Sequence, residues 1–586
     1  MPGAAPGDSG SDARDGVPAP PVSRCTVAEA VVAVLADEQV PFVAGIPGSG
    51  VMEYLDALRG AASPRFVLVR HEQVAVHMAL GYAELTGNAA AVLVSRSPGA
   101  SNTVIGVQAA WAEGSPLVLI SSQVSTKSRG LGAFQEIDLD SLFRPITKMS
   151  VEVRAPERVA ETLQEAFRVA TDGRPGPVHV SIPLDFPTLT VPFSLSRPSR
   201  EIRGRLLPGL AALEQAVALL ASSERPVIIA GGGVTRSGAA SDVLELAEEL
   251  GAAVTNTWEK KAVREDHPLS TGGIGRGGSG ASASVLHEAD VILAVGTRFS
   301  EAATGDYEMR LHPGQRLVQV DIDAAAIGRV FPVAVGMAAD ARAALGALLE
   351  ALRAHGRRRP RTAWRARVGE HREKWQHQID AVDFDSTPIS SARVVRDLRR
   401  VTEPDAVICS DSGNFNYFLA RYFPATSPGT FLYPAATGPM GCALPAAMGV
   451  KIAFPERQVV AVAGDGGFAM TMQDLETCVR ERIAVVAVVM NNFAYGNIKV
   501  RQQQRFANRL IGCELTNPDF GAVARLVGAG GTTVREPDDL VPALEEALSC
   551  VGPYVIDVHV DPAEMSSAAV DSWWSPRPGA PSAPPE

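Results

Sequence analysis

The sequence predicts an α/β protein of three consecutive domains, each built on a mostly parallel sheet. Three observations lead there. Apolar runs such as AAVLV, PLVLISS and PVHVSI are too continuous for strands with one wet face, which fits parallel sheets covered on both sides. These runs alternate with helix-patterned stretches, as strand–helix–strand crossovers require. The chain has 586 residues, too many for one core, and its composition breaks at a Pro-rich and at an Arg-rich stretch.

Bulk properties narrow the partners. A hydrophobic content of 46% is ample for burial, and a net charge of −11 argues against nucleic acid or an anionic membrane surface. Six cysteines are scattered without a CxxC pair, so neither a disulfide framework nor a zinc site is expected, and a reducing cytoplasm is the expected location. No apolar run approaches the roughly 18 residues of a membrane span. The opening MPGAAPGDSGSDARDG has no apolar core and does not read as a signal peptide.

In chain order, residues 1–25 read as a disordered tail. The first domain, 26–187, starts with a helix through AEAVVAVLADEQV, then the strand FVAGI and a Pro-Gly turn. Strand FVLVR leads into the helix EQVAVHMALGYAELTG, which Gly87 stops. Residues 188–205 read as a linker. The central domain, 206–352, runs through PVIIAGGGV, AAVTNTW, DVILAVGTRF and LVQVDID. Residues 354–380 read as a long polar connection, solvated along its basic run. The third domain, 390–562, begins with the helix SSARVVRDLRR and closes with PYVIDVHVD; residues 572–586 read as a second tail. No internal sequence repeat is visible.

The richest stretch is 459–492, VVAVAGDGGFAMTMQDLETCVRERIAVVAVVMNN. It reads as a buried strand, a helix over 468–482 and a second buried strand, a parallel crossover whose ligands sit at the strand carboxyl ends. Asp465 and Asn492 both fall there, 27 positions apart. A carboxylate and an amide oxygen suit an octahedral Mg2+ whose shell diphosphate oxygens complete. Gly464, Gly466 and Gly467 let backbone N–H groups approach that diphosphate. Glu72, at the end of FVLVR, lies on a comparable edge, although a glutamate in a first helical turn also suits the helix dipole. The neighbouring SPGASN adds Pro98 and Asn102.

With GIPGSG, RHEQVAVHMALGYAELTG, SPGASN, AFQE, TGPMGCALPAAMG and GDG…NN in this order and spacing, the chain resembles thiamine diphosphate enzymes of the acetolactate synthase type over essentially residues 26–561. GAFQEIDLDSLFR and the DVILAVGTRF region also resemble sulfoacetaldehyde acetyltransferase. The resemblance implies pyrimidine-binding, central and diphosphate-binding domains, and Mg2+ held by Asp465, Asn492 and the carbonyl of Ala494. It implies that Glu72 hydrogen-bonds the aminopyrimidine ring, that Met440 props the cofactor in its bent shape, that the Gly438 carbonyl accepts from its exocyclic nitrogen, and that Gly413 and Asn414 touch the diphosphate. Gln135, Phe134 and Lys148 match residues lining the route to the reactive carbon. Phe134 could equally be core, and Lys148 an exposed charge. The implied reaction decarboxylates a 2-oxo acid, most simply pyruvate, and passes the acyl-anion equivalent to a second carbonyl substrate. The implied assembly is a homodimer or homotetramer with active sites between subunits.

Two departures bear on substrate and cofactor. Where biosynthetic acetolactate synthases carry methionine, valine and tryptophan after the paired asparagines, this chain has Asn497, Ile498 and Arg501, and the amide and the guanidinium favour a more polar or anionic substrate. In the central domain, GGIGRGGSG and RFSEAATGD replace the strings of FAD-holding synthases. FAD is therefore left open but disfavoured against a purely structural central domain. Three functions compete: a carboligase of the acetolactate synthase type, an acetyltransferase or simple decarboxylase acting on an anionic substrate, and a non-catalytic regulatory subunit. Retention of Glu72, Met440, Asp465 and Asn492 argues against the last.

Overall fold

The computed structural model describes residues 23–195, 204–356 and 361–564. Three six-stranded parallel sheets follow one another along the chain. The first contains β2 (Phe42–Gly45), β3 (Arg65–Leu68), β4 (Ala90–Val94), β5 (Leu117–Gln123), β6 (Met149–Glu152) and β7 (Pro177–Pro183). Flanking it, β1 (Ser23–Thr26) and β8 (Thr190–Phe193) pair antiparallel with each other. The central sheet holds β9 (Pro226–Ala230), β10 (Ala253–Thr257), β11 (Ser270–Ile274), β12 (Val291–Val295), β13 (Arg316–Asp321) and β14 (Val335–Ala338). The third holds β15 (Val407–Ser410), β16 (Phe431–Leu432), β17 (Val459–Gly464), β18 (Val486–Asn491), β19 (Gly530–Val534) and β20 (Tyr554–His559).

The spatial orders are β3-β2-β4-β5-β7-β6 and β16-β15-β17-β18-β20-β19 for the first and third sheets, so both follow one topology. The central order, β11-β10-β9-β12-β13-β14, is that of dinucleotide-type sheets. In each sheet the direction of winding reverses at an interior point, opening a crevice at the strand carboxyl ends: between β2 and β4, between β9 and β12, and between β15 and β17.

The first and third domains share one apolar core. Helix Glu72–Thr86 lies directly against helix Ala443–Ala453, and two glycines set the closeness: a Cβ on Gly81 would strike the Ala446 backbone, and one on Gly449 the Met78 carbonyl. The central domain has its own core and joins the third through Lys261, whose buried ammonium donates to the Ala420 and Phe423 carbonyls and pairs with Glu265.

Four expectations are corrected. Residues 23–25 belong to β1, and the expected linker at 188–205 contains β8, because their backbones satisfy each other. The polar connection at 354–380 contains the helix Thr362–Asp380, which docks through Trp364, Val368 and His371, one buried face on an otherwise charged cylinder. Trp364 Nε1 donates to the Pro226 carbonyl at 3.1 Å. The helix expected over 468–482 is three pieces, Asp465–Phe468, Met472–Asp474 and Leu475–Arg480. The gap falls at 469–471, just after the glycine-rich first turn, and Asp474, at the junction of the second and third pieces, accepts from the Arg70 backbone N–H at 2.9 Å. The tail expected at 572–586, like most of that at 1–25, lies outside the described residues.

Candidate active site

The third-domain crevice is built from two strand ends. Asp411 follows β15 and Asp465 follows β17, so the pairing of these strands brings two carboxylates distant in sequence to neighbouring strand ends. Asp465 Oδ1 accepts from Gly466 N at 2.9 Å, and Oδ2 accepts from Asn517 Nδ2 at 2.7 Å and Ala494 N at 3.2 Å. Burial raises its pKa to about 6 despite these donors. Asn492 Oδ1 accepts from the same Ala494 N–H at 3.2 Å. Asn491 instead serves the fold: its Nδ2 donates to Asp557 and its Oδ1 accepts from Asn517 and Phe493. The paired asparagines thus divide their labour, one turned into the sheet and one left beside Asp465.

Glycines keep the floor of the crevice clear. A Cβ on Gly466 would lie 2.5 Å from the Tyr495 ring, and one on Gly467 3.1 Å from the Asp411 carboxyl. Asp411 is fully buried and organises the opposite wall. It accepts from Ser412 N at 2.7 Å, from Gly441 N with both oxygens at 3.0 and 2.9 Å, and from Ala443 N at 3.3 Å. Burial raises its pKa to about 7. The TGPMG loop held this way has Gly438 at φ 54° and Gly441 at φ 80°, left-handed positions that favour glycine, and leaves Met440 half-buried. Its other end is held by the first domain, where Glu113 Oε1 accepts from Ala436 N at 3.0 Å.

On the first domain, Glu72 opens its helix after β3 with His71 as cap, and is 8% exposed. Asn102 Nδ2 donates to Glu72 Oε2 at 2.9 Å, which fixes the carboxyl and leaves the other oxygen against Gly99. Pro98 precedes that glycine in the loop after β4. Phe134 and Gln135 lie in the loop after β5, on the same edge. Phe134 is 79% exposed and so is not core, and Gln135 sits at φ 66°. Lys148 is different: it precedes β6, at the amino edge of the sheet, and donates to the Asp172 carbonyl at 2.5 Å. The fold therefore does not bring Lys148 to the edge that carries Glu72.

Asn497, Ile498 and Arg501 occupy helix Gly496–Arg505, immediately beyond Asn492. Ile498 and Arg501 are exposed, and Arg501 has no hydrogen-bond or ion-pair partner among the described residues. No hydrogen bond joins Glu72 to Asp465, Asn492 or Met440 within one chain among the described residues.

The donor set fits a magnesium diphosphate. Asn414 Oδ1 and the hydroxyls of Thr437 and Thr471 are buried without protein partners in the walls of the crevice or next to them, acceptors and donors that a bound polar group would complete. One carboxylate, one amide and one carbonyl leave coordination positions that ligand oxygens would have to fill. Sequence reading missed Asp411, Asn517 and Glu113. An acid closing a buried strand was the available signal for Asp411; Asn517 reaches the site from a distant loop and Glu113 from the end of a distant helix, and neither carries a local signal.

The central domain has a separate cavity of about 1050 Å3 at its own point of reversal, beside the close-packed Gly231, Gly233 and Gly296. Arg236, Lys260, Arg298, Glu113, Glu259 and Asp321 contribute to its walls.

Comparison with known proteins agrees with this division. Residues 25–142 match the thiamine pyrophosphate enzyme N-terminal TPP binding domain, 213–348 the central domain and 411–558 the C-terminal TPP binding domain. The chain is 36% identical over 552 residues to a probable acetolactate synthase large subunit of Methanocaldococcus jannaschii, covering 92% of each. It is 33% identical to the acetolactate synthase isozyme 3 large subunit of Escherichia coli, over 93% of this chain and 98% of that one. It is also 33% identical to the sulfoacetaldehyde acetyltransferase of Alcaligenes xylosoxydans xylosoxydans, over 90% and 91%.

Proposed function

Because the chain belongs to the thiamine diphosphate-dependent enzymes of the acetolactate synthase type, we propose that it uses Mg2+ and that cofactor to decarboxylate a 2-oxo acid, most simply pyruvate, and to transfer the acyl-anion equivalent to a second carbonyl substrate. The observation that carries the reading is Asp465 beside Asn492 and Ala494 over a glycine floor. When bound, thiamine diphosphate supplies the electron sink for loss of CO2. Asp465, Asn492 and the Ala494 carbonyl would hold the metal, and Gly413, Asn414, Gly464, Gly466 and Gly467 would border the diphosphate. Met440 and the Gly438 carbonyl fix the ring system. Glu72, oriented by Asn102, would be held to share a proton with a ring nitrogen of the bound cofactor. Phe134 and Gln135 border the approach to the reactive carbon.

We place each active site between two copies of the chain. The carboxyl edge of the first sheet presents Leu131 and Phe134 to solvent, and that of the third presents Met470, Ile498 and Ile511, apolar surface that a second subunit would cover. The acceptor has a polar or anionic group facing Arg501. That same guanidinium favours the second reading, acetyl transfer on a sulfonated or phosphonated aldehyde. Incubation with thiamine diphosphate, Mg2+ and a panel of 2-oxo acids and aldehydes, with products followed by mass spectrometry, tests both. CO2 and a coupled product from pyruvate support the first; turnover of sulfoacetaldehyde with phosphate and no CO2 from pyruvate rejects it for the second. Glu72→Gln should lower turnover at least ~100-fold with cofactor binding retained, and unchanged turnover would refute the assigned proton path. For the central cavity a bound nucleotide is left open, with FAD disfavoured by the GGIGRGGSG and RFSEAATGD strings. Absorbance of the ligand released from purified protein tests that point.

A further inference from the structure

We propose that Glu113 of the first domain is a positioning residue for the cofactor loop of the third, with Lys260 of the central domain neutralising it; the inference rests on the thiamine diphosphate reading. The loop carrying Gly438 and Met440 is pinned by a carboxylate at each end, Asp411 on Gly441 N and Glu113 on Ala436 N. Between the pins, Gly438 N bonds the Pro434 carbonyl, and the Thr437 hydroxyl is buried with no partner. The Asp411 pin belongs to the same domain as the loop. The Glu113 pin comes from elsewhere, at the last turn of helix Val104–Glu113, which Gly114 closes in a left-handed conformation.

A buried carboxylate persists only when its charge is met. Lys260 Nζ lies 2.7 Å from Glu113 Oε2 and 2.7 Å from Glu84 Oε2. Arg236 completes the square, donating at 2.6 Å to Glu84 Oε1 and at 2.6 Å to the Glu113 carbonyl. Burial pulls the Lys260 ammonium down, but Glu113 and Glu84 outweigh it and hold its pKa above the ordinary lysine value. Burial raises Glu84, and Lys260 and Arg236 more than offset that, leaving it below the ordinary carboxyl value. Two acids and two bases thus balance where three domains meet. Glu84 lies on the helix that Glu72 opens, so the clasp ties the activating carboxylate's helix to the loop that shapes the cofactor.

The test titrates thiamine diphosphate with Mg2+ into full-length apoprotein by calorimetry. Glu113→Ala should weaken binding by about tenfold or more, since a hydrogen bond to a charged acceptor is lost. Glu113→Gln, which keeps an oxygen for Ala436 N–H, should stay within about threefold. At saturating cofactor the KM for the 2-oxo acid should be unchanged in both, a split that a general loss of packing would not give. Should Glu113→Ala fail to fold, Lys260→Met should show the same tenfold loss. Wild-type affinity in Glu113→Ala or Lys260→Met, or equal impairment by Ala and Gln, overturns the proposal. A wild-type protein that takes up no cofactor overturns the parent reading and this one with it, which separates the two failures.

Discussion

Glu259 is buried in the wall of the central cavity beside Lys260, with one oxygen accepting weakly from Ser300 at 3.3 Å and the other without a partner. Burial lifts its pKa from 4.5 to about 7. A carboxyl whose folded value exceeds its unfolded value stabilises the fold fully below about 4.5, and that contribution is lost as pH rises through 7. Glu259→Gln, which cannot ionise, should match wild type at pH 5 and exceed it at pH 8 by on the order of 2 kcal/mol, read from denaturant midpoints. Equal differences at both pH values would show that Glu259 is not the titrating group. The same residue marks where sequence reading stops. Asp465 and Glu72 were legible because strand ends announce them, and Asp411 carried the same signal, whereas Glu259 and Glu113 gain their character from burial and from partners in distant segments, which no local pattern encodes.

At the scale of elements, the contact between helices Glu72–Thr86 and Ala443–Ala453 depends on bare backbone. Gly449→Ala would push a methyl into the Met78 carbonyl, and neither helix can yield without moving the cofactor loop ahead of Ala443. The variant should lose about 2 kcal/mol or more of stability, measured by urea unfolding; an unchanged midpoint would mean the helices stand further apart. Strands with continuous apolar runs and the helix closed by Gly87 were readable, because burial on both faces and a left-handed stop leave plain marks. The helix Thr362–Asp380 was not, since three anchors among charges do not raise its apolar content. The broken crossover after β17 was hidden for the opposite reason: its helical periodicity continues through the gap at 469–471.

For the whole molecule, the matching topologies of the first and third sheets place their reversal crevices on equivalent edges, one bearing Glu72 and the other Asp465. Sequence similarity between the halves was invisible, yet the order of strands repeats, because connectivity survives when residues diverge. If each site takes one edge from each of two subunits, two inactive proteins, Glu72→Gln and Asp465→Asn, should complement. After dissociation and remixing, half of the dimers are mixed and each has one intact site, so about a quarter of wild-type activity should return. No recovery would place both edges of a site in one chain.

The antiparallel pairing of Ser23–Thr26 with Thr190–Phe193 has a temporal meaning. The two ends of the first domain are neighbours in space but 170 residues apart in sequence, so the seam can close only after the whole domain has left the ribosome. Until then the leading strand waits unpaired. Closure of that seam is thus a completion signal for the first domain, and the same adjacency makes it a natural place to open the chain and rejoin it in a permuted order.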